Sequence, residues 1–193
     1  MWNLLGWASL VWEPAHLGAD RLVSYSSVDA ARKIYVESHG CAANKLDLEI
    51  MLAHLINAGY QIVKDAKSAD ILLVNTCGVK KPTEDRMLER LRLLNGLGKP
   101  LIIAGCLPKI NLKAILNAAP SYAALLDPQS VDRILLAVRA VEKGERNITY
   151  FSDKPVIKLE QPKLRLNEPI EIVQISEGCT GSSCFCCVRF ARG

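Results

Sequence analysis

A chain of 193 residues, half of them hydrophobic and 23% charged, has room for one well-buried domain and the start of a second, and is too apolar to be wholly disordered. Its net charge of +4 admits a nucleic-acid partner without demanding one. The seven cysteines are odd in number and follow no secretory signal, so reduced thiols in a cytoplasmic protein are expected in place of a disulfide scaffold.

Residues 1–32 carry all three tryptophans without a clean period, and they read as an N-terminal extension outside the domain, with a native start near Val28 as one explanation. The apolar run Trp2 to Trp12 lacks a basic flank and falls short of the roughly 20 residues of a membrane span, so no membrane partner is expected. From Ile34 onward, short apolar runs alternate with amphipathic stretches, the pattern of an open, mainly parallel α/β sheet with helices on both faces. The first strand is placed at Ile34 to Ser38. Its helix is expected to open with Asn44 as N-cap, to carry Leu48, Met51, Leu52, Leu55 and Ile56 on one side, and to end at Gly59. A strand follows at Tyr60 to Val63, and the run Ile71 to Val74 suits a strand covered on both faces. A helix after Pro82 and Thr83 presents Met87, Leu88, Leu91 and Leu94, and its basic residues Lys80, Lys81, Arg86, Arg90 and Arg92 read as a solvated face.

Leu101 to Ala104 and Tyr122 to Leu126 repeat the buried-strand pattern; Ser130 is the expected cap of a helix running to Gly144, and Ile148 to Phe151 the last strand. The division expected is therefore a domain over 33–151, a linker over 152–169 rich in Lys, Pro, Glu and Gln, and over 170–193 the first strand, Glu171 to Ile175, and loop of a domain cut short.

Cys41, Cys77 and Cys106 each fall just past the carboxyl end of an expected parallel strand, where loops distant in sequence share one sheet edge and ligands characteristically bind. Gly40, Gly78 and Gly105 beside them leave room for a bulky group. Thiolates favour iron-sulfur clusters, zinc or copper(I), and the reading of ordinary buried thiols stands beside the metal reading. A second set, Cys179, Cys184, Cys186 and Cys187, is too dense for packing to explain and also points to metal, with zinc and iron-sulfur both open. Among the histidines, His39 lies beside the Gly40-Cys41 turn and His54 on the first helix, both read as structural. No Gly-x-Gly-x-x-Gly or Walker loop supports a nucleotide-binding or flavodoxin-like alternative.

The run Gly40-Cys41-Ala42-Ala43-Asn44 with Asp47 and Glu49, then Asn75-Thr76-Cys77, then Ala104-Gly105-Cys106, resembles the N-terminal signatures of the methylthiotransferase family of radical S-adenosylmethionine enzymes. Ser176-Glu177-Gly178-Cys179 through Cys186 to Ala191-Arg192-Gly193 resembles the start of that family's radical domain, and Glu37-Ser38-His39 is most similar to its archaeal and eukaryotic branch. The resemblance covers about residues 33 to 193. It implies a tRNA methylthiotransferase that adds a methylthio group at C2 of N6-threonylcarbamoyladenosine beside the anticodon, with tRNA and an electron donor as partners. It implies two 4Fe-4S clusters, one on Cys41, Cys77 and Cys106 carrying the sulfur to be donated, the other binding S-adenosyl-L-methionine and releasing an adenosyl radical. The family spacing puts the second set at Cys179, a middle cysteine and Cys186, but Ser183 occupies the middle position and Cys184 lies one place late. Cys179, Cys184 and Cys186, or Cys179, Cys184 and Cys187, are the two solutions. The barrel and the tRNA-binding domain of the family are absent, so the chain alone is expected to be inactive. A methylthiotransferase for another tRNA base or a ribosomal protein, and a non-catalytic zinc or iron-sulfur module, are the alternatives.

Overall fold

Strands made only of aliphatic side chains have no face to offer water, and they settle in the middle of a sheet with helices above and below. The structure, a computed structural model that describes residues 32–154, 156–167 and 169–193, has six strands, of which the three at 71–76, 101–105 and 124–126 are buried along their whole length. The six are β1 (Lys33–Ser38), β2 (Gln61–Val63), β3 (Ile71–Thr76), β4 (Leu101–Gly105), β5 (Ala124–Leu126) and β6 (Ile148–Tyr150), in the order β2-β1-β3-β4-β5-β6. Every neighbouring pair is parallel, with Tyr35 opposite Leu72 and Leu73 opposite Ile102. The α/β architecture expected from the sequence is the one found. The N-terminal extension lies outside the described residues, Arg32 excepted.

The alternation of side chains along each strand divides the core in two. Ile71, Leu73, Ile102 and Ala104 pack with α1 (Ala42–Asn57) and α5 (Ile134–Glu142) on one face. Leu72, Val74, Leu101 and Ile103 pack with α2 (Lys81–Asn95) and α4 (Leu112–Ala118) on the other. Short helices α3 (Leu107–Ile110) and α6 (Val188–Arg192) lie beside each other at the end of the sheet where β4 finishes.

Three expectations are corrected. Asn44 is not the cap of α1: Cys41 holds that position in extended backbone, and Asn44, fully buried in the first turn, spends its side chain on tertiary bonds. Ser130 does not cap α5, because its amide bonds back to Asp127 at 3.1 Å and holds it inside a 3-10 turn, Pro128–Arg133, that leads into the helix. Glu171 to Ile175 forms no strand among the described residues: only Ile172 reaches the core, Val173 and Ile175 are exposed, and no neighbouring strand offers a ladder.

Residues 156–167, expected as a linker, run along α1. The amides of Leu164 and Leu166 donate to the carbonyl and the carboxylate of Glu49 at 2.9 and 3.1 Å, and His54 meets Gln161 at 3.0 Å.

Candidate metal centre

The strand order sets the site. From β1 the chain crosses to one side for β2 and to the other for β3, so the loops leaving β1 and β3 diverge and open a crevice at the carboxyl end of the sheet. Cys41 follows β1 and begins α1, Cys77 follows β3, and Cys106 follows β4. Cys41 is exposed at the mouth, while Cys77 and Cys106 are buried.

The three loops are stitched together by amides and one hydroxyl. Asn44 donates its side-chain nitrogen to the carbonyl of Thr76 at 2.8 Å, and Asn75 returns a bond to the carbonyl of Asn44 at 2.6 Å. The Thr76 hydroxyl donates to the carbonyl of Ala104 at 2.7 Å, and the Cys106 amide to the carbonyl of Thr76 at 3.0 Å. The thiols of Cys41 and Cys106 both reach Asn44 Oδ1, at 3.8 and 3.6 Å, so one oxygen brings these two sulfurs together. Cys77 is drawn in beside Gly40, where an added Cβ would stand 3.0 Å from the Cys77 Cβ. Gly105 takes φ +98 in a space where a Cβ would lie 2.3 Å from the Thr76 carbonyl oxygen. Only glycine combines that backbone with that closeness.

The crevice is a cavity of about 1020 Å3 lined by all three cysteines. Burial pushes the Cys106 thiol up to about 11, with the Arg192 guanidinium pulling the other way, so the sulfur keeps its proton until something stronger displaces it. Across the cavity, burial raises Glu37, but hydrogen bonds from His39, Tyr35 and Arg90 outweigh it and hold the carboxyl below its ordinary value. Among the described residues no three His, Cys, Asp or Glu side chains close on a common point as for a single ion. The donor set at the cavity, thiols from three separate loops spread around one space, fits a soft cluster of several metal atoms better than one ion.

The second cysteine set lies apart. Cys179 and Cys184 are exposed, Cys186 and Cys187 half-buried, and they are not gathered around a point. Their loop is pinned at its ends, where Gly178 takes φ +81 and the Cys179 amide donates to the Gly193 carbonyl at 2.8 Å. The half-buried Cys187 is the N-cap of α6.

Sequence reasoning missed the charges that fasten this segment to the first. Asp47, fully buried on α1, accepts from Lys158 and from Arg192, each at 2.6 Å, and Glu177 accepts from the same two cations at 2.7 and 2.6 Å. Arg192 also donates to Asn44 Oδ1 at 2.9 Å, while its buried Nε has no partner among the described residues. A guanidinium carried by the Ala191-Arg192-Gly193 run therefore stands behind the oxygen that holds Cys41 and Cys106. The available signal was Asp47 and Glu49 set among the apolar positions of α1, since carboxylates buried on a helix require partners.

Thiols from three loops meet at the switch point of a doubly wound parallel sheet, and comparisons with known proteins add the family. Residues 33–127 match the sequence model of the group described as "Uncharacterized protein family UPF0004". The chain is 40% identical over 163 residues to "Probable threonylcarbamoyladenosine tRNA methylthiotransferase" of Pyrococcus abyssi, covering 83% of this chain and 38% of the relative. Similarity to the Methanothermobacter thermautotrophicus protein of that name is 38% over 165 residues, again 83% and 38% of the two chains. The Homo sapiens "Threonylcarbamoyladenosine tRNA methylthiotransferase" is 30% identical over 177 residues, 88% of this chain and 30% of that one. Residues 33–127 are thus a UPF0004 domain, and the chain spans about a third of the length of these curated relatives.

Proposed function

We propose that this chain is the metal-cluster portion of a tRNA methylthiotransferase acting on N6-threonylcarbamoyladenosine. The observation that carries the reading is the convergence of Cys41, Cys77 and Cys106 on one cavity, with Asn44 reaching two of the sulfurs and the Asn75 amide and Thr76 hydroxyl tying the loops. Cys41, Cys77 and Cys106 would hold a four-iron cluster that would supply the sulfur chemistry, and Cys179 with Cys184 and Cys186 or Cys187 would hold a second that would supply S-adenosyl-L-methionine chemistry. The chain's own work is to bring three thiols to one cavity, two of them buried and Cys41 exposed, beside the Glu177 segment that shares its lining and with room for an adenine to enter. An electron donor completes the requirements, and the names of the archaeal and animal relatives support tRNA as the substrate.

Anaerobic loading with iron and sulfide tests the reading. A brown protein with equimolar iron and sulfide is expected, and Cys41→Ser, Cys77→Ser and Cys106→Ser should each remove the iron of the first centre. Stoichiometric zinc with no sulfide uptake would instead identify a non-catalytic zinc module.

A further inference from the structure

The basic stretch of α2 reads differently once its partners are known. Lys81 pairs with Asp85 at 2.9 Å, Arg92 with Glu89 at 3.1 Å, and Arg90 with Glu37 at 2.7 Å. Lys80 and Arg86 are left over, and together with Lys45 of α1 they line the cavity that holds the three cysteines. All three are exposed, and among the described residues none of their side chains has an ion-pair or hydrogen-bond partner.

The cavity lining as a whole sets five Lys and Arg side chains, Lys45, Lys80, Arg86, Arg90 and Arg192, against two carboxylates, Glu37 and Glu177. Both carboxylates are already engaged, Glu37 by Arg90 and Glu177 by Lys158 and Arg192. The uncompensated charge is therefore the rim charge, and a cleft lined by one sign concentrates counter-ions at its mouth. Lys80 caps α2 and Arg86 lies about 9 Å further along its axis at 1.5 Å per residue, a backbone separation suited to successive charges on a chain. Inside the rim, Ala43, Val79 and Met87 give the wall apolar surface of the sort on which the flat face of a base packs.

We propose that Lys45, Lys80 and Arg86 form a phosphate-binding rim that grips the backbone of a single-stranded RNA segment while one of its bases enters the cavity toward the thiols. The proposal rests on the tRNA reading above and adds to it the surface by which this part of the protein holds its substrate. The rim binds backbone and not base edges, so it contributes affinity without sequence preference, while the cavity selects what enters.

The test is salt-dependent binding of an RNA anticodon stem-loop, followed by fluorescence anisotropy for the wild-type chain and for K45A/K80A/R86A. Each lost phosphate contact lowers the slope of log affinity against log salt by about 0.7 to 0.9, so the triple variant should lose about 2 to 3 from the slope. It should also weaken equally for stem-loops of unrelated sequence. K67A/K143A, which removes charges from outside the cavity lining, should leave the slope unchanged, and unaltered thermal melting of the triple variant will show that its fold is kept. A wild-type chain that does not bind the RNA at low salt, or a triple variant whose slope matches that of K67A/K143A, overturns the rim. Iron and sulfide loading of the same wild-type preparation reports on the metal centre independently, so a loaded protein with an unchanged slope removes the rim and leaves the methylthiotransferase reading standing.

Discussion

An amide side chain donates and accepts in one plane, and so it joins loops that a capping hydroxyl or carboxylate would leave separate. Asn44 uses both ends, donating to Thr76 and accepting from Arg192 and from two thiols. Gly105 serves the same lattice from the other side. Its φ of +98 and the 2.3 Å that would separate a new Cβ from the Thr76 carbonyl oxygen make two separate costs for any side chain there. Gly105→Ala is expected to destabilise the protein by about 3 kcal/mol, combining left-handed strain with displacement of packed backbone. Gly59→Ala makes the comparison clean, because Gly59 has φ +88 with nothing within 4 Å of the added carbon. That variant should lose only about 1 kcal/mol of strain. Urea unfolding of the two measures the difference. Equal losses would show that the crowding at Gly105 relaxes freely and that the Cys106 loop is not held as tightly as its contacts indicate.

At the scale of elements, the buried strands were legible because Ile71 to Val74 and Leu101 to Ala104 contain nothing that could face water, and the helices because their leucines recur at three and four. The strand-end placement of Cys41, Cys77 and Cys106 followed from the same pattern. What failed was the assignment of polar residues beside those patterns. Asn44 and Ser130 look like caps when only the next few residues are considered, yet Asn44 bonds across the fold, and Ser130 sits inside a 3-10 turn with its hydroxyl buried and without a partner among the described residues. Glu171 to Ile175 has the composition of a strand, but composition supplies no neighbour to pair with. The Asp47 network was invisible because its partners lie 111 and 145 residues away. These charges tie two segments to α1, so removing the carboxylate should release them and leave the sheet intact. Asp47→Ala strands Lys158 and Arg192 beside one remaining carboxylate, Glu177, at a cost of about 3 to 5 kcal/mol for an unpaired buried charge. Amide exchange should accelerate at Leu164, Leu166 and Cys179 while the amides of β3 and β4 stay protected. Uniform acceleration across the sheet would mean that the network supports the whole domain and is not a latch for its C-terminal segment.

For the whole molecule, the two cysteine sets differ in how firmly the fold already places their thiols, which on the proposed metal-cluster reading decides how each would load. The first is organised by the sheet edge, by side-chain amide and hydroxyl hydrogen bonds between three loops and by a glycine in a crowded left-handed turn, so little ordering would remain to oppose binding. The second sits on an exposed loop held at its ends by one backbone bond and by the Arg192 and Glu177 contacts, and its four thiols are spread between open and half-covered positions. Metal at the second set must order the loop as it binds, and the irregular order Ser183-Cys184 leaves Cys179 to choose between Cys184, Cys186 and Cys187. Iron loaded into the 193-residue chain should therefore leave in two phases under a chelator, the faster from the second set. Cys179→Ser should abolish the fast phase and spare the slow one, whereas Cys106→Ser should abolish the slow phase. The same chain, spanning 38% of its Pyrococcus abyssi relative, is expected to hold this iron without methylthiolating tRNA. Mass spectrometry of nucleosides from incubated tRNA checks turnover, and 2-methylthio product from the 193 residues alone would show that the cavity between Cys41 and Glu177 already contains all that the reaction needs.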